Sequence, residues 1–328
     1  MAEARSGAAV VLKQHGAPDE LRLDTVSVGE PGPGQVLIRQ QAVGVNFHDV
    51  YVRSGAYRTL PLPGTPGLEG VGVVEALGPG VTGLAVGQRV AWMDPAYGGY
   101  SQWKVLDAAL AVPVPDAVDS RTAAAIYLKG LTAHVLTASV HPLTAGETVL
   151  VHAAAGGVGR LLVQMAKARG CTVIGTAGSA AKLAIARAAG CDHVIAYRDE
   201  DVAAQVHALT AGRGVDVVYD AVGRDTFEGS FASLGKRGHL VCYGQASGPV
   251  PPFEIARLGG NSLTISRPFV WAYVDTPETL RAAAATLFAA VADGTLSVEL
   301  GGAFPLAEAW RSHAALEARE NGPFVLDC

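Results

Sequence analysis

No aspartate or glutamate occurs from Thr148 to Cys191, in a chain of 328 residues that carries 30 acidic side chains elsewhere. Cysteine is also scarce. Cys171, Cys191, Cys242 and Cys328 are scattered without paired spacing, which excludes a disulfide framework and fits reduced thiols of a cytoplasmic protein. A basic stripe is missing as well, and the formal charge of −5 argues against a nucleic-acid surface. Met1 to Ser6 hold no apolar core of a signal peptide, so none is expected. The most apolar long window, Thr122 to Val140, is interrupted by Lys129 and His134, so no membrane span is expected. Neither a Ser-Tyr-x-x-x-Lys array nor a Ser-His-Asp or Cys-His arrangement stands in recognisable context.

What is present is a globular α/β pattern, long enough for two domains and 49% hydrophobic, which supplies a sizeable core. Residues 8–120 read as short strands, such as Gln35–Arg39, Gly70–Glu75 and Arg89–Trp92. The turns Pro31-Gly32-Pro33-Gly34 and Gly78-Pro79-Gly80 separate them, which implies a β-rich domain. From about residue 125 the rhythm changes. Strands are expected at 148–152, 171–176, 193–196, 215–219, 238–243 and 261–265, alternating with alanine-rich helices at 157–169, 179–189, 199–210 and 224–234. That alternation implies βαβ units and a doubly wound parallel sheet. Helices at 276–292 and 306–319 and a strand at 323–326 follow, and this tail is expected to complete the first domain. The expected division is 1–124, 125–270 and a C-terminal return over 271–328.

One segment carries the chemistry. Val149-Leu150-Val151-His152 runs as a strand into Ala153-Ala154-Ala155-Gly156-Gly157-Val158-Gly159, with a helix beginning near Gly157. Free backbone N–H groups at such a helix start, with the positive end of its dipole, hold a pyrophosphate. Gly156 and Gly159 match the second and third glycines of the dinucleotide fingerprint, with Ala154 in place of the first. An NAD site needs an acid about 20 residues further on for the ribose hydroxyls. Here the second strand ends in Ala177-Gly178-Ser179 and the window holds Arg160, Lys167, Arg169, Lys182 and Arg187 instead. A carboxylate would repel a 2′-phosphate, whereas Lys182 at the next helix start neutralises it. NADPH is therefore expected over NADH, although Lys182 alone also reads as an ordinary solvated helix lysine.

Together with the glycine turn, Phe47-His48-Asp49-Val50-Tyr51-Val52-Arg53-Ser54-Gly55, Leu128-Lys129-Gly130-Leu131-Thr132 and Val218-Tyr219-Asp220-Ala221-Val222-Gly223 resemble the zinc-independent, ζ-crystallin-like quinone oxidoreductases of the medium-chain dehydrogenase/reductase superfamily. The resemblance covers nearly the whole chain. It implies a GroES-like β-rich catalytic domain plus a Rossmann domain, with NADPH held in the cleft between domains. Implied cofactor residues are Asn46, Phe47, His48, Asp49, Val50, Tyr51, Thr132, Gly156, Gly157, Val158, Gly178, Ser179, Ala180, Ala181 and Lys182. Tyr197 is implied beside the adenine or the 2′-phosphate, and Val222 and Tyr243-Gly244-Gln245-Ala246-Ser247 toward the nicotinamide. Pro268, Phe269, Val270 and Arg319 complete that set. A homodimer is implied too, with the strand around Asn261–Ser266 as a pairing edge.

Zinc-dependent members of the superfamily carry a cysteine in the segment matching Gly44 to Asp49, and a histidine in that matching Gly67-Leu68-Glu69-Gly70. Neither is present, no cysteine occurs before Cys171, and His48, Asp49 and Glu69 remain only as hard donors, so no metal is expected. A quinone suits such a site, because hydride addition gives an aromatic anion whose charge is delocalised. Asn46, Tyr51 and Tyr57 are the candidate catalytic hydrogen-bond donors, although Tyr57 before Pro61 and Pro63 also reads as loop packing. The expected function is NADPH-dependent quinone reduction. The alternatives are reduction of activated alkenes (enones) and, in a different class, a non-catalytic NADPH- or RNA-binding protein.

Overall fold

The computed structural model describes residues 5–328. The four residues before Arg5, part of the segment expected to lack a targeting core, lie outside the described residues. The chain forms two compact units, one of the chain through Leu128 together with Thr276–Cys328, the other of Lys129–Asp275.

In the first unit β1 (Arg5–Leu12) and β2 (Leu21–Val28) form an antiparallel pair. β3 (Gln35–Val45) leads into a short helix, α1 (Phe47–Ser54), and is followed by β4 (Glu69–Leu77), β5 (Arg89–Met93), β6 (Trp103–Asp107) and β7 (Ala111–Pro113). Val36, Ile38, Val74, Val90, Trp92 and Leu106 alternate inward from these strands to make the core. The helix α1 was not evident in the sequence. Asn46 starts it, with the Asp49 carboxylate accepting the Asn46 N–H at 2.8 Å, and Gly55 ends it in the left-handed conformation.

The apolar window becomes α2 (Ser120–Val135), which continues into one π-helical turn over Leu136–Val140. By length and composition Ser120–Val140 could cross a membrane, but 72% of its most apolar window is buried in the fold, so it serves as a core helix.

The second unit alternates as expected: β8 (Thr148–Val151), α3 (Gly157–Ala168), β9 (Thr172–Ala177), α4 (Ala180–Ala188), β10 (His193–Ala196), α5 (Val202–Leu209), β11 (Val215–Asp220), α6 (Phe227–Ala232), β12 (Leu234–Cys242) and β13 (Thr264–Ser266). The sheet is parallel, in the order β10-β9-β8-β11-β12-β13. Numbered from β8 that is 3-2-1-4-5-6, the doubly wound dinucleotide-binding order, with the crevice at the carboxyl ends of β8 and β11. Leu150, Ile174, Ile195, Val218, Leu240 and Phe227 fill its core, each worth about 1.5–3 kcal/mol on full burial. Several boundaries differ from expectation. α5 and β13 each begin three residues late. α6 is shorter, because Gly223 turns the backbone at φ +88° and Thr226 and Ser230 bond Asp220, and β12 begins four residues early across a bulge in its pairing with β11.

Back in the first unit, α7 (Pro277–Ala292), β14 (Gly302–Pro305), α8 (Ala309–Glu317) and β15 (Phe324–Asp327) return. β15 inserts between β14 and β3, giving the order β14-β15-β3-β4-β5-β7 with β6 also on β3.

Candidate active site

The glycine turn of the second unit is built as a phosphate cradle. Gly156 is the N-cap of α3 and no side chain caps that helix end, leaving its first N–H groups open to a ligand. Gly159 sits so close to the preceding strand that a Cβ there would lie 2.2 Å from the Ala153 carbonyl oxygen, so only glycine lets α3 pack on β8. The Lys129 stem lies against Gly157, bringing a cation from α2 to the start of α3. Beneath the turn, buried His152 meets the Thr176 hydroxyl at 2.9 Å across the ends of β8 and β9, and burial keeps the ring neutral by lowering its pKa.

At the carboxyl end of β9, Gly178 and Ser179 precede α4, and the Ser179 hydroxyl accepts from the Lys182 N–H. Ala180, Ala181 and Lys182 form the first turn of that helix. Around Gly178 the approach is tight: a Cβ would lie 2.9 Å from the Tyr197 hydroxyl and 3.1 Å from Arg198 Nε. Tyr197 is the expected residue here; Arg198 is an unexpected one, and its guanidinium makes no hydrogen bond or ion pair among the described residues. The adjacency of the two after a Rossmann strand was the available signal.

Val222 and Tyr243 to Ser247 come together at the ends of β11 and β12. The Ser247 N–H and hydroxyl both donate to the Val222 carbonyl, each at 2.8 Å. Asp220 organises this corner: its buried carboxylate accepts the N–H groups of Val222 and Gly223 and the hydroxyls of Thr226 and Ser230. The aspartate of the Asp-Ala-Val-Gly motif is thus a turn-holding group. Pro268, Phe269 and Val270 follow β13, with Phe269 exposed and stacked on Trp271. Thr132 lies half-buried on α2.

In the first unit, Asn46 to Tyr51 run from the cap through the first turns of α1. The Asn46 amide donates to Glu69 at 2.7 Å, and the other Glu69 oxygen accepts the Leu128 N–H at 2.7 Å, so this buried carboxylate ties the start of α1 to α2. Asp49 is buried too, accepting from the Asn46 N–H and from the Tyr100 hydroxyl at 3.1 Å, and Val50 faces the core. Phe47, Tyr51, Tyr57 and His48 form an aromatic cluster. Centroid separations are 5.1 Å for Phe47–Tyr51, 4.8 Å for Tyr51–Tyr57 and 5.3 Å for His48–Tyr57. His48 Nε2 meets the Tyr97 hydroxyl at 3.0 Å, and burial pushes its pKa down to about 4. Tyr97, 49 residues away along the chain, was not foreseen. Arg319 ends α8 at φ +58° and is exposed, at a distance along the chain from every other candidate.

The donor set in this unit is an amide, carboxylates already held by hydrogen bonds, tyrosines and a histidine. It lacks the thiolate of a tetrahedral zinc site.

Residues 32–116 match the alcohol dehydrogenase GroES-like domain, and residues 157–288 match the family described as zinc-binding dehydrogenase. A β-rich unit with such a domain and a doubly wound unit with this glycine turn define a medium-chain dehydrogenase/reductase. A quinone oxidoreductase from Pseudomonas aeruginosa is 44% identical over 306 residues, covering 93% of this chain and 94% of that protein. The structure of Escherichia coli quinone oxidoreductase complexed with NADPH aligns at a TM-score of 0.95 and 37% identity, covering 98% of this chain and 100% of that one. A 2-haloacrylate reductase from Burkholderia is 40% identical, over 97% of this chain and 98% of its own length. The chain belongs to the zinc-independent quinone oxidoreductase family.

Proposed function

We propose that this protein is an NADPH-dependent quinone reductase that works without a metal. The observation that carries the reading is the end of β9, where no carboxylate stands and Gly178 is flanked by Tyr197 and Arg198, one turn from Lys182. A 2′-phosphate fits this cationic, glycine-floored corner, and a pyrophosphate fits the uncapped start of α3 beside Lys129. Bound NADPH supplies the hydride.

The chain's own residues then have two tasks. The turn at Gly156 to Val158, the Gly178 to Lys182 corner and Tyr197 hold the phosphates and adenosine; Thr132, Val222, Tyr243 to Ser247, Pro268 to Val270, Asn46 to Tyr51 and Arg319 complete the binding set. Tyr51 and Tyr57 offer aromatic faces and hydroxyl donors to the acceptor ring. Glu69 fixes the direction of the Asn46 amide, which donates to the oxygen that becomes anionic. Delocalisation over the reduced ring removes the need for a Lewis acid.

The test is NADPH oxidation by purified protein with 1,4-benzoquinone and with cyclohexenone as acceptors. The quinone is expected to give the higher kcat/KM; a preference for the enone above about tenfold overturns the assignment. The enone reading is the second candidate, favoured by the identity to a 2-haloacrylate reductase. We further propose a homodimer and a cytoplasmic setting, the latter resting on cysteines that are all free.

A further inference from the structure

Tyr97 is a buried tyrosine held at φ +65°, a left-handed backbone conformation that is strained for any residue but glycine. Its neighbours enforce it. The Tyr97 N–H donates to the Asp94 carbonyl at 3.1 Å, and Lys104, paired with Asp94 at 2.8 Å, donates to the Tyr97 carbonyl. The consequence is a hydroxyl placed between two others. On one side it meets His48 Nε2 at 3.0 Å, and on the other the hydroxyl of Thr59, an exposed residue. His48 in turn packs edge-on against Tyr57, which packs on Tyr51. Nδ1 of His48 has no hydrogen-bond partner among the described residues.

We infer that Thr59, Tyr97 and His48 form a proton relay from solvent to the reduced acceptor, with His48 Nδ1 as the terminal donor. The inference rests on the proposed quinone reduction, in which Tyr51 and Tyr57 line the acceptor. Overall, quinone, NADPH and one proton give hydroquinone and NADP⁺. Two-electron reduction leaves one ring oxygen as an oxyanion. The Nδ1–H bond of His48 breaks and that oxygen gains the proton. Nε2 takes the Tyr97 hydroxyl proton, Tyr97 takes that of Thr59, and water reprotonates Thr59. Each group donates in the same direction, so one proton enters and no charge is left behind. Because burial keeps the imidazole neutral near pH 7, the proton passes by exchange of tautomers, without an imidazolium. Burial and the Asp49 charge both act to keep the Tyr97 proton in place, against the Thr59 hydrogen bond, so the chain is loaded at rest.

The experiment compares His48→Ala, Tyr97→Phe and wild type with two acceptors, 1,4-benzoquinone and tetrachloro-1,4-benzoquinone, whose reduced oxygen is far less basic. Both variants are expected to lose about tenfold to hundredfold in kcat with benzoquinone and much less with the chlorinated ring, with KM for the quinone little changed. Imidazole in the buffer restores part of the His48→Ala loss. Independently of turnover, the ¹⁵N spectrum of the ligand-free protein shows the His48 Nε2 signal shifting in Tyr97→Phe, while the NADPH Kd stays as in wild type. Equal losses with both quinones, absence of rescue, or unchanged kcat overturns the relay. Wild-type protein that reduces neither quinone overturns the quinone reading itself, and the relay with it.

Discussion

Arg198 Nε stands 3.1 Å from where a Cβ on Gly178 would be, and no carboxylate claims it. A charged hydrogen bond to a phosphate is worth about 1.5–3 kcal/mol, or roughly tenfold to hundredfold in affinity. Arg198→Ala is therefore expected to raise the NADPH Kd by about that factor and to leave NADH binding unchanged, as read by fluorescence titration. Equal weakening of both cofactors would place Arg198 in structure alone. Asp199, Glu200 and Asp201 follow it, and two of them are engaged locally: Glu200 accepts the Ala196 N–H and Asp201 that of Ala204. At this scale the sequence was readable where the chemistry is local. The glycine turn and the acid-free stretch lie within a few residues of the groups they serve. The Tyr97–His48 pair was not readable, because a hydrogen bond across 49 residues leaves no periodicity or spacing in the chain.

Helix α1 is fastened to α8 by two polar links, one half-exposed and one buried. Arg53 pairs with Glu317 and donates to the Gly16 carbonyl, and Tyr100 bridges Asp49 to His313 Nε2 at 3.0 Å. The Tyr100 proton goes to Asp49, so His313 donates an Nε2 proton to the Tyr100 oxygen. Burial, reinforced by the Arg53 charge, depresses its pKa to about 3 from 6.5. Between those values the unfolded chain binds more protons, so this contribution is full above pH 6.5 and is lost as the pH falls toward 3. His313→Gln is expected to lower Tm at pH 7.5 and to flatten its decline between pH 6.5 and 4, measured by thermal denaturation across that range. His48 and His239, both lowered to about 4, retain part of the slope. An acid limb parallel to wild type would contradict the assignment. Elements were legible where hydrophobic alternation was long, as in the strands of the second unit. They were not legible at α1, whose eight residues are set by the Asn46–Asp49 cap and the Gly55 stop. Nor was α2 evident, since a helix apolar on most sides carries little amphipathic signal.

For the whole molecule, the edge of the second unit's sheet matters most. β13 pairs with β12 on one side, and its other side bears backbone groups that no strand among the described residues takes. Light scattering is expected to give about twice the 33.6 kDa chain mass, and a monomer mass would remove the dimer. The exposed side chains of Phe269 and Tyr273 follow directly on that strand, as an apolar margin would. The two units also differ in how they are threaded. Every strand of the doubly wound sheet comes from one uninterrupted stretch, whereas the sheet of the first unit awaits β15 to seat between β3 and β14. On the ribosome the nucleotide-binding unit is thus delivered whole while its partner still lacks an inner strand. A nascent chain whose second sheet is complete while its first still lacks the strand between β3 and β14 is the natural intermediate of its synthesis.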